Sequence, residues 1–132
     1  MTPISVLIAD DIATTREDIK RLLYFEEDIH VVGEAADGEE AIALANELKP
    51  DVVLMDINMP HIDGIGATEQ ISVNVPQTAI IIISIQGEQE YLRKAMAAGA
   101  REYLVKPFSA NDLANAIRRV SESQRRRNIY LS

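Results

Sequence analysis

Short apolar runs alternate with amphipathic stretches along nearly the whole chain, and this alternation is the tightest constraint on its fold. Residues 5–9 (SVLIA), 29–35 (IHVVGEA), 51–55 (DVVLM), 78–84 (TAIIIIS) and 101–105 (REYLV) have strand length and strand character. The stretches between them read as helices. Thr14 is expected to N-cap a helix over 14–25, with Glu17 three residues on and Ile19, Leu22 and Leu23 sharing one face. Asp37-Gly38-Glu39-Glu40 repeats the capping pattern ahead of a stripe of Ala41, Ile42, Ala45 and Leu48, which Pro50 ends. Residues 56–64 (DINMPHIDG) carry Pro60 and an Asp-Gly pair and read as loop, with a weaker helix over 65–73. A helix over 88–98 closes at Gly99. Ser109, with Asp112 three residues on, starts a last helix lined by Leu113, Ile117 and Val120. The expectation is a (βα)5 domain: a parallel sheet with helices on both faces, in three layers.

In such sheets ligands bind beyond the carboxyl ends of the strands. Asp10 and Asp11 follow the first expected strand, Asp56 the third, Ser84 ends the fourth, and Lys106-Pro107 follow the fifth. The second strand offers nothing comparable. One edge of the sheet thus collects three carboxylates, a hydroxyl and an ammonium. Carboxylates held together raise one another's pKa unless cations balance them. Mg²⁺, which takes one or two carboxylates plus phosphate oxygens, suits such a set, and with Lys106 it brings the formal charge to zero. A carboxylate is also a competent nucleophile toward phosphorus. Taken singly, each residue has a plainer use in a turn, a helix cap or a surface loop; their coincidence at one edge argues for a site.

Composition narrows the function further. The 132 residues suit a single domain, expected to span 1–121, with a basic tail or the start of a linker over 122–132. There are no cysteines, so disulfides and thiolate metal sites are excluded. No basic-then-apolar leader opens the chain, and no apolar run approaches the ~20 residues of a membrane span, so a cytoplasmic protein is expected. With 13 basic and 21 acidic residues the net charge is −8, and direct nucleic-acid binding by this domain is not expected. Arg118, Arg119, Arg125, Arg126 and Arg127 are the exception, read first as a solvated helix end whose cations suit the C-terminal dipole.

With these residues placed, the chain resembles the receiver domain of response regulators, the CheY-like family. The motifs are VLIADD, DVVLMDINMPHIDG, IIIIS and YLVKPF, within a match over about residues 4–121. The resemblance implies a flavodoxin-like fold with strand order 2-1-3-4-5. It implies Asp56 as phospho-acceptor, and Asp10, Asp11, Asp56 and the backbone carbonyl of Asn58 as seat for Mg²⁺ or Mn²⁺. Ser84 and Lys106 match the phosphate-contacting switch residues, Tyr103 the aromatic switch residue, and Pro107 a proline that is cis in the family. The implied cycle transfers a phosphoryl group from a sensor histidine kinase or a small phosphodonor. Enzymatic chemistry is limited to Mg²⁺-dependent self-phosphorylation and autodephosphorylation. Switching then reshapes the α4-β5-α5 surface toward an output domain, a downstream protein or a second copy of the chain.

The residue after the switch hydroxyl is usually small in this family; here it is Ile85, which is expected to govern access to Asp56. A degenerate pseudo-receiver that serves only as an interaction module is the alternative reading. A haloacid-dehalogenase-like phosphatase needs an Asp-x-Asp pair after the first strand, and Asp10-Asp11-Ile12-Ala13 does not supply it. Within the family, SIQGEQEYLRKAMAAGAREYLVKPF resembles the receivers of CpaE/TadZ-type pilus-assembly proteins, and a NarL/LuxR-type regulator is the other context. The chain has no GxxxxGK[ST] phosphate loop, so the ATPase of the former is absent from it.

Overall fold

A computed structural model of the protein describes residues 2–85 and 87–131; Met1 and Ser132, the outer ends of the expected domain and tail, lie outside the described residues. The element order is β1 (Ile4–Ala9), α1 (Ala13–Leu23), β2 (Ile29–Ala35), α2 (Gly38–Leu48), β3 (Val52–Asp56), α3 (Gly64–Asn74), β4 (Ala79–Ser84), α4 (Gln89–Ala97), β5 (Glu102–Val105) and α5 (Ala110–Leu131). The five strands form one parallel sheet in the order β2-β1-β3-β4-β5. This is the flavodoxin-like arrangement expected.

Side-chain alternation along each strand feeds two cores, one per face of the sheet. Every residue of β4 is buried. Its Ile80 and Ile82 join Leu7, Val53, Met55 and Ile71 on one face, while Ile81 and Ile83 join Ile8, Leu54, Leu113 and Ile117 on the other. Truncating any of these isoleucines to alanine is expected to cost about 2–5 kcal/mol.

The helix starts follow local chemistry in three cases. Asp37 Oδ1 accepts from the Glu40 N–H at 2.8 Å, and Asp63 Oδ1 accepts from the Gly66 N–H at 2.8 Å. Ser109 and Asp112 cap reciprocally, at 3.0 and 3.2 Å. The expected cap at Thr14 is not found. Helix α1 begins at Ala13, so the cap position falls to Ile12, which has no side-chain acceptor to offer. Gly99 takes φ +121°, as a chain leaving α4 requires, and a side chain there would collide with Ser72.

Helix α5 continues through residues 122–131. Its arginines mostly pair with neighbouring acids rather than facing solvent alone. Arg118 bridges Glu26 and Asp28 at 2.6 and 2.8 Å, Arg119 pairs with Glu102, and Arg125 reaches Asp51 at 3.3 Å. Among the described residues no helix is long and apolar enough to cross a membrane.

Candidate functional site

Because β1 and β3 are parallel neighbours, with Ala9 opposite Met55, the residues that follow them emerge at the same edge. Asp10 is 2 % exposed. Its N–H donates to the Ala35 carbonyl at 3.0 Å, and its Oδ1 accepts from the Ile12 N–H at 2.8 Å. Asp11 is exposed and Asp56, the last residue of β3, is half-buried. Carboxylate oxygens of Asp10, Asp11 and Asp56 all lie within 4.8 Å of one another. Burial, and then the charge of Asp10, push the Asp56 carboxyl up to about 6, against the lowering effect of the Asn58 N–H and Lys106. Asp10 is also raised, chiefly by burial. Close packing behind Asp56 is enforced by Gly64, where a Cβ would overlap the Asp56 carbonyl.

The other expected site residues fall into two groups. Ser84 is 2 % exposed at the end of β4, and its Oγ has no hydrogen-bond partner among the described residues. Lys106 acts electrostatically on both Asp10 and Asp56, and the Lys106-Pro107 peptide bond is cis. Asn58 donates its N–H to Asp56 Oδ1 at 3.4 Å. Two residues face outward: Tyr103 is 46 % exposed and Ile85 is 55 % exposed.

A supporting set of contacts, not visible in the local sequence pattern, holds the acidic edge. Arg16 donates from its guanidinium to the Asp10 carbonyl at 2.6 Å and to Glu34 Oε1 at 3.0 Å. Lys20 donates to Glu34 Oε2 at 2.9 Å. Lys20 foremost, and then Arg16, hold the Glu34 carboxyl below the usual range. So β2 does contribute to this edge, through Glu34. The signal was an Arg in the first turn of α1, five residues past Asp11, and an acidic residue near the end of a largely apolar strand. A second missed contact joins the Asn58 side-chain amide to Glu88 Oε1 at 2.8 Å, across the mouth of the β3–α3 loop.

The donor set suits a hard divalent cation. Three carboxylates converge, and no thiol or imidazole is among them.

Comparison with known proteins agrees with this geometry. The response regulator receiver domain family matches residues 6–118. The response regulator protein VraR of Staphylococcus aureus is 42 % identical over 121 residues, covering 92 % of this chain. The chain spans 58 % of that relative's length. The response regulator domain of Thermotoga maritima CheB is 36 % identical with a TM-score of 0.84, covering 91 % of this chain and 97 % of that one. A two-component response regulator of the LuxR family from Aurantimonas is 32 % identical with a TM-score of 0.86, covering 92 % and 87 %. The chain belongs to the response regulator receiver domain family, the module of two-component signalling whose members are phosphorylated on an aspartate.

Proposed function

We propose that Asp56 is the phospho-acceptor of this receiver and that Asp10, Asp11, Asp56 and the Asn58 carbonyl seat Mg²⁺ or Mn²⁺. The observation that carries the reading is the position of Asp56: it ends β3, is half-buried, and lies with two further carboxylates within 4.8 Å. An Asp56 carboxylate oxygen attacks the donor phosphorus in line. The bond from phosphorus to the donor's imidazole nitrogen or acyl oxygen breaks, and the donor leaves with the electron pair. The bound cation supplies charge neutralisation and orientation of the phosphoryl oxygens. Lys106 contributes a fixed positive charge beside the reacting group, and Ser84 a hydroxyl free to donate to it. The domain is not a classical enzyme; self-phosphorylation from small donors and autodephosphorylation are the activities proposed.

The readout proposed is the α4-β5-α5 face, with Tyr103 turning inward from its exposed position as Ser84 engages the phosphoryl group. The proposed partners are a sensor histidine kinase in the cytoplasm and an output domain, downstream protein or second copy of the chain. Residues 1–121 form the receiver unit in this reading, and the rest of α5 leads toward the output. Incubation with acetyl phosphate and Mg²⁺, followed by intact-mass measurement, tests it. One phosphoryl group should be gained, and none by Asp56→Asn. An unchanged mass, beside a control receiver that is labelled, favours the pseudo-receiver.

A further inference from the structure

Helix α1 starts without a side-chain cap, yet it carries the loop that must present Asp10 and Asp11. What ties this loop down is Arg16. Its Nη1 donates to the Asp10 carbonyl at 2.6 Å, while its Nε donates to Glu34 Oε1 at 3.0 Å. The side chain is only 17 % exposed, and Glu34 is itself held by Lys20 at 2.9 Å. The N–H of Asp10 is meanwhile fixed by the Ala35 carbonyl, the residue after Glu34. Both peptide groups of Asp10 are therefore anchored to the end of β2, one directly and one through the guanidinium.

We propose that Arg16, oriented by Glu34, is a positioning residue of the acidic site: it fixes the Asp10-Asp11 peptide so that the carboxylates of Asp10, Asp11 and Asp56 converge on a divalent cation. This rests on the reading of those carboxylates as a cation seat. The two-pronged contact needs a guanidinium, because an ammonium is a point donor that does not hold two acceptors in a fixed fork.

Positioning and simple charge predict opposite signs. Arg16 is a cation near the site, so by Coulomb's law its removal alone would strengthen binding of a divalent ion. If its role is to hold the peptide, its removal weakens binding instead.

The test measures Mn²⁺ affinity by electron paramagnetic resonance, and Mg²⁺ affinity by calorimetry, on the folded protein. Arg16→Ala should bind about 10-fold more weakly, the range seen when residues that orient metal ligands are lost. Arg16→Lys, with charge kept and the fork lost, should fall between it and the parent. Glu34→Gln, which keeps an acceptor for Arg16, should lose less than Arg16→Ala. Parental or tighter affinity in folded Arg16→Ala, with the parent binding normally, overturns the proposal and leaves the cation seat standing. Absence of binding by the parent itself overturns the seat, and the proposal with it. Should circular dichroism show that Arg16→Ala does not fold, Arg16→Lys decides: weakened binding supports positioning and parental binding overturns it.

Discussion

The backbone N–H of Lys106 donates to the carbonyl of Ser84 at 2.8 Å, so the two residues leave adjacent strands side by side at the edge that carries Asp56. The hydrogen bond fixes their backbones and leaves both side chains available. The Ser84 hydroxyl is buried without a partner among the described residues, which is costly unless the group is used in another state. Ser84→Ala therefore removes no hydrogen bond of this conformation. Its stability should stay within ~1 kcal/mol of the parent. Its response should not survive: beryllofluoride, a phosphoryl mimic, should still bind at Asp56, but amide shift changes across α4 and β5 should shrink. Undiminished changes in ¹⁵N spectra would remove Ser84 from the switch.

The Asp56 carboxyl, raised to about 6, makes a second prediction, for protein stripped of divalent cations. The folded state binds this proton more tightly than the unfolded state, so this group lowers stability as pH rises from 3.8 to about 6. Asp56→Asn abolishes that penalty. At about pH 7.5 in chelator, it should stabilise the fold by on the order of 1–2 kcal/mol once solvent screening is allowed for. At about pH 4.5 the gain should shrink by more than half. Urea titrations at the two pH values check this; a pH-independent difference would mean that the charge at Asp56 is not what strains the site.

Ile85 is 55 % exposed, so it is not core, and Ile85→Ala should leave stability within ~0.5 kcal/mol. It still adjoins Ser84 in the sequence, and the access role proposed for it predicts an effect on rates. Phosphorylation by acetyl phosphate should accelerate more than twofold, and hydrolysis of the acyl phosphate with it, since water uses the same approach. Equal rates for the folded variant and the parent would show that this side chain does not govern access.

The strands and the acidic edge were legible because they rest on patterns that local chemistry enforces, whereas the strand order followed only from the resemblance to the receiver family. Apolar runs of strand length fixed β1 to β5, and capping at Asp37 and Ser109 marked two helix starts where the structure has them. Thr14 misled because a cap signature says which residue can cap, not where tertiary contacts start the helix. Arg16 and Glu34 lie 18 positions apart and meet only when β2 packs beside β1. The same holds for Asn58 and Glu88, 30 positions apart, whose contact depends on where the β4–α4 connection runs.

The last turns of α5 yield the final prediction. Gln124 is 4 % exposed and donates to the Pro76 carbonyl at 3.0 Å. Asn128 donates to the Gln77 carbonyl at 3.3 Å. Arg125 reaches the Pro3 carbonyl at 3.0 Å and Asp51 Oδ2 at 3.3 Å. That same Asp51 oxygen accepts from the N–H and hydroxyl of Ser5, so Arg125 completes a network joining the starts of β1 and β3. These contacts make residues 124–128 a clamp on the sheet end opposite Asp56. Each hydrogen bond contributes about 1 kcal/mol net and the half-exposed ion pair less. A variant stopped after Ser121 should therefore lose on the order of 2–4 kcal/mol and about 10 °C in Tm. Hydrogen exchange should speed up first in β1 and the α3–β4 connection, where the lost partners sit. Gln124→Ala alone should lose a third to a half of that stability, because it also leaves the Pro76 carbonyl without this donor. A truncated protein melting within about 2 °C of the parent would show that these turns ride on the domain without bracing it.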